Sequence, residues 1–315
     1  MIKPSFAKSN RSMIALWIIL IITFIVTGIV DSYFFSIASI GITLQLAAPL
    51  GLLAAAQTIV MLTGGIDLSL AMIATGAAYI VSVKSNAGLT TALLFALVFC
   101  VLVGAINGIS IGLFGVNPLI MTLSMGAILI GVFTVGVSTF LRGSSRMPEV
   151  LVTLSSGLIF DPITWPLLVW VIVGGFVHFS LTRTGFGRVI YAIGDNAQAA
   201  RLAGVKVWQV QVAAYVSCAI LGGFAGIMLG GQSGAVAISL ANSYLLPSVA
   251  AVVIGGTSIM GGLGSYSGSV MGALILSVLS YLLAILNSSE AFKQLVYGGI
   301  VLALAWVYSS ISERK

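Results

Sequence analysis

The sequence predicts an all-α fold, a polytopic transmembrane helical bundle of about ten spans, on three observations. Apolar residues make up 59% of the chain and charged residues only 6%, where a soluble domain carries about 25% charged residues. Apolar runs close to the length of a bilayer-crossing helix recur along the whole chain. Between them the basic residues fall in alternate connecting segments, the distribution that orients helices in a membrane. The net charge of +6 is therefore a topology signal and not the footprint of a nucleic-acid partner, and residues 1–315 read as one transmembrane domain in a lipid bilayer.

The first run, 12–30, ends at Asp31. It is too long for a signal-peptide core and has no small-residue cleavage site after it, so it reads as a retained span behind a cytoplasmic tail. Further runs cover 37–62, 66–83 and 90–113, with a turn at Lys84, Ser85, Asn86 and Gly88, and a fifth follows Asn117-Pro118 as far as Phe140. A polar region, 141–161, carries Arg142, Arg146, Glu149 and Asp161. The sixth run is 163–181, and the seventh, 208–230, follows the long polar segment 182–207. A polar piece at 231–244 leads to runs at 245–260 and 266–286, which flank GGLGS; a loop at 287–293 precedes the last run, 294–309.

With the N-terminus in the cytoplasm, ten spans return both the 182–207 segment and the C-terminus there. Those three segments hold Lys3, Lys8, Arg11, Arg183, Arg188, Arg201, Lys206, Arg314 and Lys315, nine of the 13 basic residues. The opposite orientation would place all of these outside, against the positive-inside bias.

Within 182–207, the stretch GDNAQAARLAG reads as a short helix with both ends marked. Asp195 is the expected N-cap with Gln198 three residues on, as in a capping box, and Gly204 is the expected left-handed terminator. Asn196, Ala197, Ala199, Ala200 and Arg201 fall inside it; the alanines keep it slim enough to enter a groove.

Glycine is abundant, 37 residues, and clusters in TGGIDLS and IGGTSIMGGLGS. Most such glycines let helices approach closely. Irregular backbone at membrane depth is the other reading, tolerated where it is buried in protein or lines a watery cavity. The two clusters occupy similar places in the two halves, which suggests an internal repeat. Asp67 is the one acid inside the apolar sequence. It either caps the helix after it, with Thr63 or nearby amides as partners, or shapes the pore. Thr63, Gly65, Asp67, Ser69, Asn107 and Asn117 are the pore or gate candidates; Gln45, Gln57, Gln232 and Asn242 are further uncharged polar groups. Such a lining suits a polar, uncharged solute, and the scarcity of intramembrane charge argues against an ion-coupled carrier or channel acting alone. No G-x-x-x-x-G-K-[ST] phosphate loop and no H-E-x-x-H occurs. His178 is the single histidine, so no histidine metal cluster forms, and Cys100 and Cys218 lie within apolar runs as packing residues. No catalytic and no metal-binding residue is expected, and the chain cannot hydrolyse ATP by itself.

Four segments, TGGIDLSLA, NPLIMTLSMGAILIG, RTGFGRVIYAIGDNAQAARLAG and VIGGTSIMGGLGSYSGSVMGALI, resemble ABC importer permeases, the membrane subunits of binding-protein-dependent uptake systems, and more narrowly those for ribose, xylose and galactosides. Ala71, Ser124 and Ile130 depart from that pattern. The resemblance implies a bacterial inner-membrane protein with a second permease copy, two cytoplasmic ATPase subunits that hold ATP and magnesium, and a periplasmic or lipid-anchored sugar-binding protein. It implies that the Asp195–Gly204 helix docks on the ATPase. It implies a monosaccharide as cargo, with a nucleoside or a sugar-derived signalling molecule as the alternative.

Overall fold

The computed structural model describes residues 6–139 and 145–312. Phe140 and Arg142, and the terminal Lys3, Arg314 and Lys315, lie outside the described residues. The chain is helical: α1 (Phe6–Val30), α2 (Ile37–Leu62), α3 (Leu70–Lys84), α4 (Leu89–Gly112), α5 (Pro118–Thr139), α6 (Glu149–Ser156), α7 (Trp165–Arg183), α8 (Gly185–Leu202), α9 (Val207–Ser233), α10 (Leu245–Ile254), α11 (Tyr266–Ile285) and α12 (Glu290–Ser312). Among the described residues, seven of these are long and apolar enough to cross a membrane: α1, α2, α4, α5, α7, α9 and α11. The helices α3 and α10 are shorter, 15 and 10 residues, and α12 closes the chain.

Several expected boundaries move, each for a local reason. The run read as 66–83 starts its helix only at Leu70, because 63–69 is a loop. The run read as 245–260 ends at Ile254, where the Gly255-Gly256 pair stops it. The last helix begins at Glu290, before the expected 294. The polar region holds the short helix α6, and a two-stranded hairpin of β1 (Leu158–Phe160) and β2 (Ile163–Thr164) follows it.

The bundle is built around α9. Gly104, Gly108 and Gly112 repeat every fourth residue on α4 and face the α9 backbone. A Cβ at these positions would meet Tyr215 and Val216, then Val212, then Trp208, so the two helices run antiparallel in close contact along their length. Gly222, Gly226 and Gly230 of α9 face Leu70, Ala74 and Ala78 of α3 in the same manner, but in parallel. Glycine here removes the side-chain layer, so dispersion contact between backbones replaces the hydrophobic drive that lipid cannot supply. A second brace crosses α2, α7 and α11: Trp170 Nε1 donates to the Tyr266 hydroxyl at 2.9 Å, which donates to Gly51 O at 3.4 Å. The outer helices present apolar side chains outward, among them Ile14, Ile18, Leu94, Val98, Val171 and Phe176, as a lipid-facing surface requires. Cys100 and Cys218 are buried and unbridged.

Candidate gate and coupling site

At one end of the bundle α2 and α10 both stop in the same way. Gly64 (φ +84°) follows the last turn of α2, its amide bonding Met61 O while Gly65 N bonds Val60 O. Gly256 (φ +85°) follows α10, with its amide on Val253 O and Thr257 N on Val252 O. This is the Schellman arrangement, which needs a left-handed residue and therefore favours glycine. Each stop opens a glycine-rich loop, 63–69 and 255–265, that leads into the next helix. The likeness of the two clusters in sequence thus corresponds to one repeated backbone turn.

The first loop is held by a buried polar network. The Gln57 carboxamide clamps the Asp67 backbone at two points: its Nε2 donates to Asp67 O at 2.7 Å and its Oε1 accepts from Asp67 N at 3.3 Å. The Asp67 carboxylate, fully buried, accepts from Ser69 N at 2.9 Å and from Ser69 Oγ at 2.5 Å, both at Oδ1. Cys218 Sγ donates to its other oxygen at 3.8 Å. Asn107 Nδ2 donates to Ser69 Oγ at 3.0 Å, and Thr122 Oγ1 to Ile66 O at 3.1 Å. One seven-residue loop is thereby tied to α2, α4, α5 and α9. Asn107 Oδ1 and the Tyr215 hydroxyl, which lies against Gly65, are buried without a hydrogen-bond partner among the described residues.

Of the six gate candidates, the structure brings together Gly65, Asp67, Ser69 and Asn107. Thr63 instead donates to Val60 O at 2.7 Å, within its own helix end. Asn117 caps α5, accepting from Leu119 N at 2.9 Å, and is exposed. Tyr215 belongs to the group and was not anticipated; its signal is a phenol three residues before Cys218 on one helical face.

The second half of the site is α8. It was expected to hold one short helix, but 182–207 contains two, joined at Asn196, whose backbone is not helical (φ −157°, ψ 97°). Asn196, not Asp195, is the cap of the second piece: its Oδ1 accepts from Ala199 N at 2.9 Å. The amide geometry decides this, because only the residue that leaves helical dihedrals can aim its side chain back at the next turn. Gly204 (φ +86°) ends the piece as expected, with its amide on Arg201 O and Val205 N on Ala200 O. Ala200 is buried with Ile193 and Val207, so it seats the helix on its own chain. Asp195, Asn196, Ala199, Arg201 and Gly204 are exposed, and Leu202 is 85% exposed.

Just before the kink, Gly194 enters the junction of the two loops. A Cβ there would collide with Leu62 O and Gly262 N. Gly262 N itself donates to Leu62 O at 3.1 Å, and Gly261 lies against Gly64 and Gly194. Tyr191 Oη donates to Gly264 O at 2.9 Å; burial raises the pKa of this phenol, so it remains a neutral donor. The kinked α8, the end of α2 and the second glycine loop therefore meet at one backbone contact.

A helical bundle with seven helices long and apolar enough to cross a membrane, and with buried irregular backbone tied to four of its helices, is the architecture of a polytopic membrane protein. Residues 39–305 match the family described as branched-chain amino acid transport system / permease component. The chain is 31% identical over 306 residues, 95% of its length and 85% of theirs, to the autoinducer 2 import system permease protein LsrC of Yersinia pestis (strain Pestoides F) and of Yersinia pseudotuberculosis (serotype O:1b, strain IP 31758). No solved structure matches. The chain belongs to this permease family, as an ABC importer permease of the sugar type.

Proposed function

We propose that the protein forms the translocation pathway of an ATP-driven importer for a monosaccharide handed over by a binding protein. The observation that carries this reading is the Gly194 contact. A short capped helix exposed at one end of the bundle continues directly into the junction of both glycine loops, so a push on that helix bears on the end of α2 and on the loop between α10 and α11 together. Two permease copies pair above two ATPase subunits, which hold the ATP and magnesium. The α8 end and both termini face the cytoplasm, and the opposite end receives the binding protein. Exposed Leu202, Met260 and Leu263, close to Arg201 and Lys206 in sequence or at the second loop, supply an apolar docking surface on the α8 side. ATPase closure moves α8, the loop junction shifts, and the pathway opens outward; hydrolysis resets it.

A sugar-derived signalling molecule is the second reading of the cargo, favoured by the likeness to permeases named for autoinducer 2 import. The uncharged polar groups suit either. The test is reconstitution of the permease with its ATPase and binding protein in vesicles, measuring uptake of labelled ribose, xylose, galactose and autoinducer 2. ATP-dependent uptake of one of these is expected. Uptake by the permease alone under an ion gradient would overturn the importer assignment.

A further inference from the structure

At the end of the bundle opposite α8 lies a cavity of about 310 Å³, bounded by α2, α11, the turn before α10 and the first turns of α12. That is the low end of the range for small-molecule pockets, roughly 300–1,000 Å³, which suits a single-ring molecule. Its walls differ from those of the hollow between α7 and α9, which is lined mainly by isoleucine, valine, leucine and phenylalanine, the company of acyl chains. Here Tyr244, Tyr281, Tyr297 and Ser280 all line one space. Ser39 Oγ donates to the Tyr281 hydroxyl at 3.0 Å, which leaves the phenol's own proton to offer inward. Ser280 is within hydrogen-bonding reach of Tyr297. At the rim Lys293 Nζ meets Glu290 Oε1 at 2.6 Å, the lysine largely covered and the carboxylate largely exposed. The pair is neutral as a unit, so the cavity carries donors and acceptors without net charge.

We infer that this cavity is an entry site for cargo in the permease and takes a neutral polyhydroxylated molecule the size of one sugar ring. Aromatic faces cover the C–H side of such a ring, while phenol and serine hydroxyls exchange hydrogen bonds with its edge. The inference rests on the importer reading above. It adds a mechanical consequence: the cavity is walled by α2 and α11, the helices that end and begin at the two glycine loops at the far side of the bundle. An occupant therefore touches both helices that the Gly194 contact controls.

The test uses the permease–ATPase complex in nanodiscs without binding protein. Ser280→Cys, and separately Ser243→Cys should the first fail to assemble, is placed in a background with Cys100→Ala and Cys218→Ala. A small charged methanethiosulfonate is the reagent, and D-ribose, D-xylose and D-galactose at high millimolar concentration are the protectants. Modification is expected, slowed several-fold by at least one of the three sugars, and Tyr297→Leu is expected to abolish the protection but not the modification. Absence of modification while Ser156→Cys reacts, or modification that no sugar slows, would overturn the inference. A complex that assembles and hydrolyses ATP but shows no protection removes the cavity assignment alone; failure of the ATPase to co-purify removes the importer reading.

Discussion

The amide of Gly262 donates to the carbonyl oxygen of Leu62 at 3.1 Å, joining the second glycine loop to the end of α2. Gly194 fits against both atoms of that bond with no room for a side chain. Backbone-to-backbone contact of this kind is stiff, because no rotamer can absorb a displacement, which is what the proposed coupling of α8 to the loops requires.

Gly194→Val tests that contact. Overpacking a site walled by backbone costs about 1–3 kcal/mol. The variant is expected to insert normally but to lower the thermal stability of the permease–ATPase complex and to lose most cargo uptake. Uptake at the unsubstituted rate with unchanged melting would show that the junction gives way freely.

Asp67→Asn and Asp67→Leu separate charge from hydrogen bonding. Asparagine retains an acceptor for the Ser69 amide and hydroxyl, so substantial transport should persist. Leucine leaves the buried Ser69 amide and hydroxyl without their acceptor, a cost of about 1–3 kcal/mol for each unsatisfied group, and transport should largely fail. Complete loss in the asparagine variant, with assembly intact, would make the charge itself obligatory and would revive ion coupling.

Orientation is read by single cysteines at Ser156, in α6, and at Gln198, in the exposed second piece of α8. In cells with a permeabilised outer membrane, an impermeant thiol reagent should modify the cysteine at Ser156 and spare the one at Gln198. Reaction at Gln198 would reverse the topology.

The helical membrane bundle and the loop clusters were legible in the sequence because lipid imposes one strong rule, long apolar runs separated by short polar segments. The short α3 and α10 were not, since Ile66 and Leu68 on one side and Ile259 and Met260 on the other keep the hydropathy high through segments whose glycines have already ended the helix. Asp67 was singled out by its isolation, but its partners Gln57 and Cys218 come from helices that sequence spacing does not relate. The cap moved from Asp195 to Asn196 for a similar reason: both residue types cap well, and the choice is made by where Gly194 is pinned in the junction. The amphipathic first part of α8, with Gly187, Ile190 and Ile193 inward, was hidden inside a segment read for its charges.

The last prediction concerns how the second piece of α8 is held and what it offers. A helix this short is marginal in water, so its ends and its seat must fix it. Asn196→Ala removes the side-chain acceptor for the Ala199 amide and should cost about 1 kcal/mol, whereas Asp195→Ala should cost little. Gly204→Val forces a β-branched residue into the left-handed region and should disturb the end more strongly. Ala200 is inward, so Ala200→Glu should unseat the piece from Ile193 and Val207. Leu202→Asp instead leaves the fold alone, because that side chain is 85% exposed, and changes only the surface offered to a partner. Co-purification with the ATPase and hydrolysis stimulated by the loaded binding protein are the measurements. Asn196→Ala and Gly204→Val should weaken both together with local stability, while Leu202→Asp should weaken both at unchanged melting temperature. Full association and stimulation in the Leu202→Asp and Gly204→Val variants would remove this helix from the ATPase contact.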